Sequence, residues 1–247
     1  MKKYTIAAYA GAILLFFSAW WLLAKAVFLP IIPLPELVLA TLGRVFFQSI
    51  AIHGVYSLWR IMAGLFLAIA VGLPLGVLLG YFPKLDKVLS PVVYLTYPIP
   101  KIALLPIVML FFGVGEAAKI LLIFLIVVFQ VIVAVRDGIR LIPAETYYPL
   151  NSLGASFYRI FCDILWPASL PKFITAVRVA MATAISVLFF TETFGTQFGL
   201  GYFIMDAWLR VNYLEMYAGI FVLSLMGLVL FGIIDLLERC FCSWQYK

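Results

Sequence analysis

Apolar positions in this chain of 247 residues come in long unbroken runs rather than in alternation. Six of them approach or exceed the roughly 20 helical residues that cross a hydrocarbon layer: 4–29, 61–82, 88–112, 119–135, 173–190 and 217–237. Barrel strands would alternate with a period of two, and lipid admits only helices or closed barrels, so the runs predict helices. The third run holds Pro91, Pro98, Pro100 and Pro106 and cannot be one straight helix, because each proline removes a backbone donor and crowds the preceding turn. The first run starts from Lys2 and Lys3, as a signal peptide would. It is too long for such a segment and carries Trp20 and Trp21 near its end, where indole rings anchor at an interface, so it reads as a retained helix.

Between the runs, 35–50 opens with Pro35 in a first-turn position and repeats its apolar residues at helical spacing, which predicts an amphipathic helix on the outer surface. Stretch 191–215, with Gly195, Gly199 and Gly201, predicts a loop holding one short helix at 203–209. Connection 136–172 is the longest and most polar. It predicts two short helices joined at Ser152, Leu153, Gly154, Ala155 and Ser156: Gly154 supplies a tight turn, Ser156 caps the second helix, and Pro167 and Pro171 stop it before the membrane. In that second helix Phe157, Ile160, Phe161, Ile164 and Trp166 recur at three- and four-residue spacing, an apolar face that wants a partner.

Composition agrees with lipid as the solvent: 66% of residues are hydrophobic and 11% charged, where soluble domains carry roughly a quarter charged. The net charge of +6 is spread singly, with no basic stripe for nucleic acid. With the N-terminus inside, ten Lys and Arg, including Lys2, Lys3 and Lys247, fall on inner connections. Four, Arg44, Arg60, Lys119 and Arg210, fall on outer ones, while acids divide evenly. Orientation tracks bases, so both termini are expected in the cytoplasm.

Little in the chain points to catalysis. Cys162, Cys240 and Cys242 are odd in number and lack metal-ligand spacing; the single histidine, His53, falls in an outer connection and reads as a solvated loop residue. There is no phosphate-binding loop, no HExxH and no nucleophile elbow, so neither an enzyme nor a cofactor is expected in this chain. Gly72, Gly76 and Gly80 are four residues apart and mark a helix face for close packing, with Pro74 adding a kink. Lys101 has two readings, snorkelling from a broken helix or lining a path for an anion, and Glu192 has two, an external gate or a salt bridge. Arg178 is expected to reach the inner headgroups, and Lys25 and Asp235 to lie at interfaces. An ion-coupled secondary transporter or channel would show paired acids or histidines within spans and two related halves, neither of which is evident.

Taken together, LGAS at Leu153 to Ser156, WPASLP at Trp166 to Pro171 and FITAVRVAMATAI from Phe173 resemble the cytoplasmic coupling loop of ABC-type importer permeases. Residues 97–120 resemble that family's third span and outer turn, and 191–207 the loop after its fifth; the combination is nearest the nitrate, sulfonate and taurine group. Aligned from Gly154, the family's E-A-A falls on Tyr148, Pro149 and Leu150, so its glutamate is missing, with Glu145 one helical turn earlier. Pro149 could still open a helix there. The resemblance implies an all-α membrane protein, six transmembrane helices in the type I importer (MetI-like) permease fold, and a single permease domain over 1–247 whose coupling loop is 136–172. It further implies two ATPase subunits that hold the ATP and Mg, a second permease copy forming a homodimer, and an external solute-binding protein. The setting would be the cytoplasmic membrane of a bacterium or archaeon. Ser152 to Phe157 with Trp166 and Pro167 would couple to the ATPase, and the solute would be a small anion such as a sulfonate, nitrate or bicarbonate, or a pyrimidine-like molecule.

Overall fold

The structure, a computed structural model, describes residues 6–27 and 30–245. Lys2, Lys3 and Lys247, on which part of the expected orientation rests, lie outside the described residues, as do the two ends of the first run. Among the described residues eleven α-helices follow in order: α1 Ile6–Val27, α2 Pro35–Val45, α3 Ala51–Tyr81, α4 Pro83–Thr96, α5 Leu105–Phe112, α6 Glu116–Arg140, α7 Tyr148–Ser152, α8 Phe157–Ile160, α9 Trp166–Glu192, α10 Leu200–Leu209 and α11 Tyr213–Phe241. No strand occurs among the described residues. Among the described residues five helical runs are long and apolar enough to cross a membrane; α4 and Lys101–Phe112, bent by 77°, make a sixth if taken as one span. That bend sits where Pro98 and Pro100 fall, while Pro106 is absorbed in the first turn of α5, where no N–H is needed.

Two expectations give way. Helix α2 does not lie free on a surface: a single π-helical turn, Phe46–Ile50, runs it into α3, and Val38 and Ile50 are buried with Leu200, Phe203 and Ala218 of α10 and α11. The combined run of 47 residues is about 70 Å long, well beyond one hydrocarbon thickness, so part of it must project past the layer. Nor do Pro167 and Pro171 stop the second loop helix, which passes through a π-helical turn, Phe161–Leu165, and on through both prolines to Glu192. Pro167 falls in the first turn of α9, directly after the widened turn, and Pro171 forfeits one ladder bond inside a helix long enough to continue past it. Pro74 lies inside α3, which continues beyond it to Tyr81.

The core is a seam between α3 and α6. A Cβ added to Gly64 would lie 2.6 Å from Ile123 Cγ2. One on Gly72, Gly76 or Gly80 would lie 2.9, 2.7 or 2.8 Å from the Cβ of Val131, Val135 or Ile139. Contacts advance in step along both chains, so the two helices are parallel. In lipid, where hydrophobic exclusion gives no drive between helices, such close approach supplies the dispersion energy. Gly76→Leu is therefore expected to force α3 off Val135 and the Ile132 carbonyl, 2.9 Å away, and to destabilise the fold by about 3 kcal/mol. Thermal unfolding of the helices in detergent measures this, and an unchanged midpoint would contradict the seam. Helix α9 packs antiparallel on α6, with Lys172 beside Gly138 and Thr183 bonded to Gln130. Helix α11 is tied to α9 by Arg178, which pairs with Asp235 and Glu238 at 2.5 Å each and so does not reach for headgroups.

Candidate functional site

Three places hold the candidate residues: the turn between α7 and α8, the break between α4 and α5, and the opposite end of α9. The turn grows from local chemistry. Pro149 occupies the first turn of α7, as expected for a proline there. At the other end Gly154 has φ +65°, its N–H donates to Asn151 O at 3.0 Å, and the Ala155 N–H reaches back to Leu150 O at 3.0 Å. This double closure satisfies the last carbonyls of α7 and needs a residue that tolerates the left-handed region. Ser156 stands at the N-cap position of α8 with extended backbone but makes no side-chain cap bond, contrary to expectation.

The turn is braced from below. Tyr81 and Phe82 at the end of α3 meet the Phe157 ring at 5.3 and 5.5 Å, and Leu150 and Ala155 pack on the main core. Tyr147 also packs there; burial, and next the Tyr81 phenol, pushes its phenol above the ordinary range, so it stays neutral. The expected apolar face divides. Ile160 and Ile164 are buried, and Phe161 and Trp166 pack on the chain's own core, because the helix carrying them leans on the bundle. Pro167 is half-buried. What projects is the turn itself: Leu153 is 81% exposed and Tyr158 75%, with Tyr148, Ser152, Gly154, Ser156 and Phe157 also exposed. Beside the turn, the buried Arg136 guanidinium joins α6 to α4 through Ser90 Oγ (3.0 Å) and Tyr94 OH (2.7 Å), and Arg140 pairs with Asp86.

At the break, the Lys101 ammonium donates to Thr96 O and Tyr97 O, both at 2.9 Å, and lies 4.6 Å from the Phe129 ring centroid. It thus sits on the carbonyl end of α4, where the helix dipole favours a cation, rather than reaching outward. Next to it is a cavity of about 300 Å³ lined by Tyr97, Ile102, Ile126 and Gln130.

The opposite end holds a buried ionic hub. Glu192, fully buried, accepts from Arg60 Nη1 at 2.7 Å, from Ser57 Oγ at 2.9 Å and from the Gly201 N–H at 2.8 Å in the first turn of α10. Arg60, 1% exposed, also holds Glu116 through two bonds of 2.7 and 2.5 Å and the Phe198 carbonyl at 2.7 Å. Ser57 Oγ accepts the Leu200 N–H and His53 Nδ1 accepts the Gly199 N–H. A Cβ on Gly199, whose φ is +127°, would lie 2.3 Å from Glu192 Cδ, so that loop closes directly on the carboxylate. The salt-bridge reading of Glu192 is the one the geometry takes. His53 and Arg60, expected in a connection, are buried residues of α3, and Lys119 is buried too, bonded to the carbonyls of Val114 and Gly115. The missed signal was spacing: positions 53, 57 and 60 form a polar stripe that continues the glycine face of α3.

Residues 72–241, more than half of the chain, match the family described as binding-protein-dependent transport system inner membrane component. The chain belongs to that family. This binding-protein-dependent permease is a transport subunit of the ABC importer class rather than an enzyme, which sets aside the ion-coupled transporter. It is 29% identical over 243 residues to the taurine transport system permease protein TauC of Escherichia coli, covering 95% of this chain and 88% of the relative. It is 30% identical to the putative aliphatic sulfonates transport permease protein SsuC of Bacillus subtilis (78% and 70% covered). The formylaminopyrimidine transport permease protein ThiX of Halalkalibacterium halodurans is also 30% identical (76% and 75%). In fold the permease is similar to chains of two crystal forms of the MetNI methionine ABC transporter, in inward-facing conformations. TM-scores are 0.67 and 0.71 at 22% and 20% identity, covering 75% and 79% of this chain and 93% and 97% of those. Its fold is the MetI-like type I importer permease fold, all helical among the described residues.

Proposed function

We propose that this permease lines the path of a small anionic, sulfonate-like solute and receives force at its α7–α8 turn from a separate ATP- and Mg-binding ATPase. Two copies form a homodimer in the cytoplasmic membrane of a bacterium or archaeon, each with one ATPase docked on Ser152 to Phe157. A solute-binding protein delivers at the opposite end. Both termini lie in the cytoplasm, and 1–247 act as one permease domain whose coupling loop is 136–172. The observation that carries the reading is a glycine-closed turn with Leu153 and Tyr158 exposed, joined to a helix that continues to Glu192. The sulfonate class is supported by what TauC and SsuC are named for, and by a cation, Lys101, beside a cavity in the broken span.

A leucine buried in a partner's groove contributes about 2 kcal/mol, equivalent to roughly thirtyfold in affinity. Leu153→Asp is therefore expected to lower ATP-driven uptake by at least tenfold in cells co-expressing the ATPase, with the permease level in the membrane unchanged. Unaffected uptake, or uptake that needs no ATP, would refute the docking role.

A further inference from the structure

We infer that His53 is a proton-operated latch: neutral, it holds the loop after α9 shut through the Gly199 N–H, and a second proton on its ring releases that loop. This holds whatever the permease carries. The Gly199 N–H donates to His53 Nδ1 at 3.1 Å. A backbone N–H can only donate, so Nδ1 must present a lone pair, and the one ring proton of the neutral imidazole sits on Nε2. An imidazolium carries N–H on both nitrogens and would set one donor against another. Turning the ring over would bring a C–H to the same place, which accepts nothing either. The Phe198, Tyr202 and Phe203 rings crowd the imidazole, with centroids 5.9, 5.8 and 5.5 Å away, so it has little room to step aside. The closed loop therefore admits only neutral His53, whereas the open loop admits either form.

Three consecutive backbone donors close this loop. The N–H groups of Gly199, Leu200 and Gly201 go in turn to His53 and Ser57 of α3 and to Glu192 at the end of α9. A hydroxyl does not titrate here, and a carboxyl group still accepts through its carbonyl oxygen when protonated, so the imidazole alone loses its acceptor on taking up a proton. Protons have access: His53 keeps 8% of its surface and borders a cavity of about 470 Å³ that Gln48, Tyr202, Asp206, Arg210 and Glu215 also line. The charges on that wall favour a cation. Asp206 of α10 and Glu215 of α11 share the single Arg210, which leaves one net negative charge. On the other side Arg60 of α3 and Glu192 of α9 offset one another, as do Glu116 and Lys119 of α6. An imidazolium formed on opening thus has a counter-charge beside it.

The test is hydrogen exchange on the full-length chain in lipid nanodiscs, read by fragmentation mass spectrometry at the Gly199 amide and corrected at each pH for the exchange rate of a free amide. The open state holds one more proton than the closed one, and an unrestrained histidine takes it up near pH ~6.5. Protection at Gly199 is therefore expected to stay level above about pH 7 and then to fall roughly tenfold per pH unit, a loss of about thirtyfold by about pH 5. The Ala155 N–H, closed on a backbone carbonyl in the α7–α8 turn, is the control and should hold steady. His53→Asn puts an amide oxygen near the place of Nδ1 and should make Gly199 protection independent of pH. Asp206→Asn takes an acid from the cavity wall and should move the fall to lower pH, which assigns the titration even if His53→Asn does not fold. Protection at Gly199 that ignores pH, that falls in step with Ala155, or that still falls in His53→Asn would each overturn the latch. So would a fall that Asp206→Asn leaves in place or moves upward.

Discussion

Arg60→Met is expected to destabilise the folded permease by about 3–5 kcal/mol, the cost of leaving a buried charge uncompensated. The variant strands Glu192, which is fully buried and would keep only Ser57 and the Gly201 N–H, and it frees Glu116 and the Phe198 carbonyl. Removing both partners should be milder. In Arg60→Met/Glu192→Leu no buried carboxylate remains at position 192, so part of the loss is expected to return even though three elements lose their common bond. Unfolding in detergent, followed by helical circular dichroism, measures both variants. A double variant as unstable as the sum of its singles would show that packing, and not the ion pair, holds this end together.

The second large effect is at the turn. Gly154→Pro replaces a φ of +65° with one locked near −65° and removes the N–H that closes α7 on Asn151 O. The distortion is about 3 kcal/mol, so the turn must rebuild, and Leu153 leaves its position. Uptake is expected to fall roughly 100-fold while the chain still inserts, because no Cβ contact is made at this glycine and the core lies below it. Gly154→Ala, which strains only the left-handed backbone by about 1 kcal/mol, should lie between the two. The decisive readout is ATP hydrolysis by the co-purified ATPase: the proline variant should lose its stimulation by solute-loaded binding protein. Wild-type coupling in that variant would remove the turn from the force path.

Much of this was legible from the chain because lipid simplifies the reading. Long apolar runs must become helices, a third span with four prolines cannot stay straight, though only Pro98 and Pro100 mark the break, and Gly154 followed by Ala155 and Ser156 must turn. The glycines at 72, 76 and 80 marked a face for close packing but not its neighbour, which the structure gives as α6, and Gly64 and Ala68 on the same face were overlooked. What stayed hidden needed partners distant in sequence. Arg60 lies 132 residues from Glu192, and an arginine just ahead of an apolar run looks like a loop base until its acceptors are folded onto it. His53 and Lys119 were misplaced for the same reason. The prolines after Trp166 misled in the opposite direction: they are ordinary helix stops in water, but here Pro167 falls in the first turn of α9 and Pro171 sits inside it.

One consequence follows from the unbroken helix between Phe157 and Glu192. Its 36 residues make a beam of about 54 Å with the glycine turn at one tip and the buried carboxylate at the other. If it pivots on α6 near its middle, a tilt of a few degrees swings the two tips in opposite directions by a couple of ångströms. Gly199 and Gly201 leave no slack around that carboxylate, so the far tip cannot move without dragging the start of α10 along.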